Sequence, residues 1–324
     1  MSDKLTMASF FSGCGGMDLG SVGGFEYIGK RYKKNPIDVI YSNDFDEKIS
    51  ELHKINFSHE IVVGDITRIP ISSIPTHDIL TGGFPCQSFS VVAQNPKRLG
   101  YKDEKGMLFF ELCKILKKKK PKVFIAENVK GILSANKGQA FPLIIEEFER
   151  AGYHVVHRLL NASHFGVPQK RERVFIVGFR NEAHFKSFSF PSPTTIDEPV
   201  PLSAILEHED TIDSKYYFSK EAVQGLLKTK NYLSMNKGRA QNINEPCNTV
   251  AAHLAKVSLN STDPVLRING KYRMFTPREV ARIQSFPEKY SLLHSKTTNY
   301  KALGNAVPPV LMWHLMQSIV KALD

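Results

Sequence analysis

"LTMASFFSGCGGMDLG" spans residues 5–20. Its first seven residues, 5–11, carry no charge and read as a buried strand. "SGCGG" is a glycine-rich turn, and a helix is predicted from about Met17. A strand, a glycine turn and a helix in that order open a βαβ unit. The next segments repeat the alternation. Strands are predicted at 37–43, ending at Asp44, at 60–66, with Asp65 at its end, and at 77–83. A helical pattern over 106–121 stops at Pro121, and 122–129 reads as a strand. Residues 139–153 then read as a helix, with strands at 154–162 and 173–180. The implied fold is α/β, a doubly wound and mostly parallel sheet. Ligands of such sheets sit at the carboxyl ends of the strands. Asp44, Asp65, Cys86 and Glu127 are all predicted there.

Beyond Arg180 the pattern changes. Residues 181–271 are rich in Ser, Thr, Asn and Pro and weakly periodic, and they are expected to form a second, smaller, irregular domain. Alternation returns with "FTPREVARIQSFP" (275–287), a helix with Thr276 as N-cap and Pro277 in the first turn. "YKALGNAVPP" (300–309) reads as a turn leading into a last helix from about Pro308. Residues 1–180 and 272–324 would then make one domain and 181–271 the other.

Lys and Arg number 43 against 32 Asp and Glu, a net charge of +11. That excess suits a polyanionic partner or a solvated basic surface. The run Lys117–Lys120 ends a helix, where cations complement the dipole. No apolar stretch reaches the length of a membrane span, and no secretory signal is recognised. Cys14, Cys86, Cys113 and Cys247 form no C-x-x-C pair, so free thiols in a reducing compartment and no metal centre are expected.

The glycine loop departs from G-x-G-x-x-G, because Asp18 stands at the third glycine position. Combined with a carboxylate ending the second strand, it suits an adenosine-bearing cofactor. "TGGFPCQSFS" (81–90) aims Cys86 from a Gly-Phe-Pro turn. A nucleophilic thiol needs nearby cations, and Arg171 and Arg173 in "QKRERVF" are candidates. A zinc nucleobase deaminase is excluded, since Phe89 occupies its second cysteine position and no histidine begins H-x-E.

Read together, these motifs resemble the cytosine-C5 DNA methyltransferases of the bacterial restriction–modification type. "FSGCGG", "SNDFD", "GDI", "GFPCQSFS", "GMLFFEL", "ENV" (127–129), "QKRERVFIVGF" (169–179), "RMFTPREVARIQSFP" (273–287) and "YKALGNAVPP" occur in that family's order. Ser9 stands where some members carry an acid. The resemblance implies S-adenosylmethionine as cofactor, held by Phe11, Ser12, Gly13, Gly15, Gly16, Asp44, Phe45, Asp65, Ile66, Gly83, Pro85, Leu108, Asn305 and Ala306. It implies Cys86 as nucleophile on cytosine C6, Glu127 on N3 and the exocyclic amine, Arg171 on O2 or a phosphate, and Arg173 in support.

Double-stranded DNA is the implied partner. Gln87, Ser90, Lys105, Gln169, Arg239 and Thr249 are candidate contacts, with Lys256 a further one, and the loop between Cys86 and Lys105 is a candidate lid. Residues 181–271 would read the bases. A monomer in the bacterial cytoplasm is expected, with any cognate restriction endonuclease acting separately. Two other readings stay open. A tRNA methyltransferase of the related subfamily would carry Cys-Phe-Thr, whereas here Asn248 and Thr249 follow Cys247. A silent DNA-binding relative would not need intact Cys86, Glu127, Arg171 and Arg173.

Overall fold

A computed structural model describes residues 4–85, 104–228, 239–254 and 263–324. Cys86, Gln87, Ser90, Lys256 and most of the candidate lid lie outside the described residues, as does the Lys105 side chain.

The chain order begins with β1 (Leu5–Phe10), α1 (Gly16–Val22), the hairpin β2 (Phe25–Tyr27) and β3 (Lys30–Tyr32), then β4 (Ile37–Asp44) and α2 (Glu47–Lys54). It continues through β5 (Ile61–Val63), β6 (Ile79–Gly82), α3 (Glu104–Lys119), β7 (Val123–Val129), α4 (Ala140–Arg150) and β8 (His154–Asn161). Next come β9 (Gln169–Lys170), β10 (Glu172–Phe179), α5 (Glu182–Ser187) and α6 (Lys220–Lys228). Short strands β11 (Ala240–Gln241), β12 (Cys247–Asn248), β13 (Val265–Ile268) and β14 (Lys271–Arg273) precede α7 (Pro277–Ile283), α8 (Lys296–Asn305) and α9 (Pro309–Leu323).

Among the described residues the central sheet has seven strands in the order β5-β4-β1-β6-β7-β10-β8. β1, β4, β5, β6 and β7 are parallel. The apolar runs of β1, β6 and β7 are buried on both faces, as a sheet between two helical layers requires. The order reverses about β1, so the crevice at the ends of β1 and β6 is the switch point where α/β sheets bind ligands.

β10 is antiparallel to both β7 and β8. No α-helix separates it from β8, only a 3₁₀ turn (Ala162–Phe165) and β9. A parallel return needs a crossover, usually a helix, which that connection lacks. The predicted strand 60–66 is shorter than expected. Asp65 accepts from the Thr67 N–H and caps a 3₁₀ turn, Ile66–Arg68, which ends the ladder. Residues 300–305 are helix, not turn, and close α8, which starts at an N-cap Ser295. The predicted cap of α7 forms a reciprocal capping box between Thr276 and Glu279, with Pro277 at the first position.

α9 is buried along Val310, Leu311, Leu315, Met316 and Ile319 and packs on α1. The approach is close because Gly20 has no side chain. A Cβ there would stand 2.5 Å from both Met312 Cβ and the Pro309 carbonyl. Residues 181–271 share this core, since Leu202, Ile205, Val250, Leu254 and Leu266 cluster with Leu311 and Leu315. Within the segment β11 and β13 pair, and β14, which begins at its last residue, completes a three-stranded sheet β11-β13-β14.

Gly20→Ala should destabilise the protein by roughly 1–3 kcal/mol through overpacking against α9, read as a lower Tm. Gly64→Ala, where a Cβ meets nothing within 4 Å, should leave Tm unchanged.

Candidate active site

The glycine loop starts at Phe11, whose φ of +54° turns the chain sharply out of β1. Gly13 (φ +54°) and Gly15 (φ +78°) keep it in the left-handed region that glycine tolerates. The Gly13 N–H donates to Asp44 Oδ2 at 2.8 Å, and the Asp46 N–H donates to Asp44 Oδ1 at 2.9 Å. Ser12 donates through Oγ and N–H to the Asn43 carbonyl. The end of β4 therefore fixes the loop. Burial raises the Asp44 carboxyl above the usual range, and the two N–H donors oppose that rise. Phe45, the next residue, is 75% exposed, an unusual setting for a large aromatic ring.

Ile66 is buried, Asp65 is exposed, and Leu108 packs with Phe11 in the same apolar cluster. From the other end of the chain, the Val307 carbonyl would stand 2.3 Å from a Cβ on Gly16, with Ala306 Cβ at 3.4 Å. Ala306 thus meets the glycine loop, and Asn305 is exposed beside it.

Glu127 lies near the carboxyl end of β7, 9% exposed. Its Oε1 is 3.0 Å from Arg173 Nε, and a Cβ on Gly83 would meet its Oε2 at 3.2 Å. Burial raises the Glu127 carboxyl; Arg173, then Arg171, pull it back. Asn128 Nδ2 donates to the Phe84 carbonyl at 2.8 Å and so holds the approach to Pro85, which is half-buried. Asn128 was readable in the "ENV" block, but not its role as an anchor for that loop.

Arg171 is 1% exposed. It donates to the Val250 carbonyl at 3.2 Å and to the Gly304 carbonyl at 3.0 Å. Burial and neighbouring Arg173 lower it to about 9, while Glu127 opposes; it stays cationic at neutral pH.

Two expected DNA contacts sit elsewhere. Gln169 is fully buried, giving its Nε2 to Gln284 Oε1 at 2.9 Å and accepting from the Val250 N–H at 2.8 Å. Its amide joins segments inside the fold and presents nothing at the surface. Arg239 is 3% exposed, with Nε donating to the Asp263 carbonyl at 3.0 Å. Thr249 is half-buried and bonds the Lys170 carbonyl at 2.8 Å, which fixes β12 beside β9. Cys14, Cys113 and Cys247 are buried, and burial raises all three thiols, so they stay protonated.

Residues 5–321 match the profile of the C-5 cytosine-specific DNA methylases. This chain belongs to that family. The DNA methylase is 32% identical to the type II methyltransferase M.Bsp6I of Bacillus sp. (strain RFL6), over 98% of this chain and 99% of that one. It is 36% identical to M.HaeII of Haemophilus aegyptius, over 97% and 92% respectively. Its fold is similar to that of the Entamoeba histolytica methyltransferase EhMeth (TM-score 0.76, 18% identity, 99% of each chain). The Schizosaccharomyces pombe Dnmt2 methyltransferase is also similar (TM-score 0.73, 16% identity, 99% of each chain). The protein is a DNA cytosine-C5 methyltransferase of S-adenosylmethionine-dependent type, and no described helix is long and apolar enough to cross a membrane.

In the methylase, Arg173 is the nearest cation to Glu127 among the described residues. Its removal should let the carboxyl keep its proton to higher pH. A carboxyl NMR titration, assigned with Glu127→Gln, should show a raised midpoint in Arg173→Gln. An unchanged or lowered midpoint would contradict the pairing.

Proposed function

We propose that the chain methylates cytosine in duplex DNA by nucleophilic addition from Cys86, with Glu127 as the group that holds the pyrimidine edge. The observation that carries this reading is the Glu127 carboxyl itself. It is buried at a strand end, paired with Arg173 at 3.0 Å and packed against Gly83 of the loop leading to Cys86. Burial raises its affinity for a proton, which suits a donor to ring N3. The target base would be flipped out of the helix to reach it.

The residues present suit S-adenosylmethionine. Gly13 opens onto free space, Asp44 is fixed beneath it, and Phe45 offers an exposed ring for an adenine. Phe11, Ser12, Gly15, Gly16, Asp65, Ile66, Gly83, Pro85, Leu108, Asn305 and Ala306 complete the cradle. Bound there, the cofactor supplies an electrophilic methyl group. The Cys86 thiolate adds to C6, and Glu127 donates toward N3 as charge builds at C5. After C5 has gained its methyl, a water molecule takes the C5 proton, the sulfur–C6 bond breaks to release the Cys86 thiolate, and N3 returns its proton to Glu127, which restores aromaticity. Arg173 holds Glu127 in place, and Arg171 holds the site together from behind.

Residues 181–271 are assigned to sequence reading and the remainder to cofactor and chemistry, with DNA in the cleft between them. Thr249 supports that segment. Gln87, Ser90 and Lys105 are the proposed phosphate or strand contacts, and the loop they flank is the proposed lid. The type II names of the relatives support a place in a restriction–modification system, with the endonuclease a separate chain and this protein a cytoplasmic monomer.

Labelled methyl transfer to unmethylated DNA and to tRNA, followed by nucleoside analysis, tests the reading. Label as 5-methylcytosine in DNA alone is expected; label in tRNA alone would move the protein to the RNA-modifying subfamily. Cys86→Ala should lose turnover while retaining DNA binding. Unchanged turnover in that variant would sink the covalent mechanism.

A further inference from the structure

Behind the glycine loop lies a cluster of metal-ligating side chains that the chemistry above does not use. Asp18, in the first turn of α1, is fully buried. Its Oδ2 is 3.0 Å from His53 Nε2 on α2 and 3.8 Å from His59 Nε2. The three ligand atoms all lie within 4.8 Å of one another. A tetrahedral zinc ion, with bonds of about 2.0–2.1 Å, holds its donor atoms about 3.3 Å apart, a value bracketed by the 3.0 and 3.8 Å separations from Asp18 Oδ2.

Ser42 Oγ sits beside the same atoms, 3.1 Å from Asp18 Oδ2 and 2.9 Å from His59 Nε2. Among the described residues no lysine or arginine pairs with Asp18, whose carboxyl is left among Ser9, Ser42 and the two imidazoles. A fully buried carboxylate needs a countercharge. The His59 side chain is 15% exposed, which gives the cluster an edge toward solvent.

We propose that Asp18, His53 and His59 bind a zinc-type dication that braces the cofactor loop. Two imidazoles and one carboxylate suit zinc better than calcium or magnesium, which prefer oxygen donors. The link to the loop is direct. A Cβ on Gly15 would stand 2.3 Å from Phe57 Cε2 and 3.2 Å from His53 Cδ2, so the α2 side of the cluster is the floor of the loop. His53 and Phe57 are in ring contact at 4.5 Å, and His53 and His59 at 5.0 Å. The site stands apart from the assignment of Cys86 and Glu127, and its test does not depend on methyl transfer.

The test is metal analysis of the full chain after exposure to zinc chloride and desalting, with Tm measured before and after chelator treatment. One zinc per chain and a lower Tm on chelation are expected. His59→Gln, at the exposed edge, should fold and lose the metal. Cobalt(II) in the wild type should give visible bands of a low-coordinate nitrogen and oxygen set, without an intense near-ultraviolet thiolate band. Background zinc and no Tm response would overturn the proposal and leave a hydrogen-bonded Asp–His pair. Full zinc retention in His59→Gln, or a thiolate band, would also overturn it by placing the metal elsewhere.

Discussion

The buried guanidinium of Arg171 is the constraint on which the site depends. A cation without water must find its hydrogen bonds and countercharge inside the protein. It finds the bonds on the carbonyls of Val250 and Gly304, and the countercharge on Glu127. Those groups come from three distant parts of the chain. The Glu127 carboxyl therefore has a structural task beside its proposed chemical one. Moving the 250 or 304 segment costs the guanidinium a hydrogen bond, and moving β7 costs it the countercharge. Other contacts enforce the same meeting. Gln169 ties β9 to Gln284 and to Val250, β12 pairs with β9, and Gly304 lies so close to Ala251 that no side chain fits between them.

This explains which parts of the site were legible in sequence. The parallel strands are largely apolar runs, so Asp44 at the end of β4 and Glu127 near the end of β7 stood out at the carboxyl end of the sheet. Strand direction left no such mark. β10 has the same buried apolar pattern as β7, and only the absence of a crossover helix before it sets it antiparallel. The turn expected at 300–305 failed for a related reason. Gly304 and Asn305 look like breakers, yet Gly304 is in α8 because the 251–252 backbone presses against it. Glycine there answers a packing demand from a segment some fifty residues upstream, which local propensity cannot register.

Gln169 and Arg239 were misjudged as surface contacts by a different limit. Polar side chains in polar surroundings read as exposed, since burial depends on whether distant backbone groups arrive to satisfy them. Gln169 meets both a side-chain amide and a backbone N–H in the interior. The "QKRER" block, by contrast, was legible as functional, but the division of labour within it was not. Its arginines stand two apart along the chain. Arg173 on β10 reaches Glu127, and Arg171 just before that strand turns to Gly304 at the end of α8 and to the 250 region.

The irregular part of the molecule obeys the same logic. With few ladder hydrogen bonds among its described residues, the segment 181–271 is held by side chains that belong to better ordered elements. Arg273 is fully buried and bonds both Glu209 and Glu279, while Glu279 also closes the capping box of α7. Arg282 donates to the Ile205 carbonyl, and Lys170 pairs with Glu245. These anchors come from β9, β14 and α7. A segment fastened at such points can change the residues between them without disturbing Arg171 or Glu127. That freedom is what a region assigned to reading different DNA sequences would need, while the bond from Arg171 to Val250 would hold the proposed reading surface in register with the proposed site.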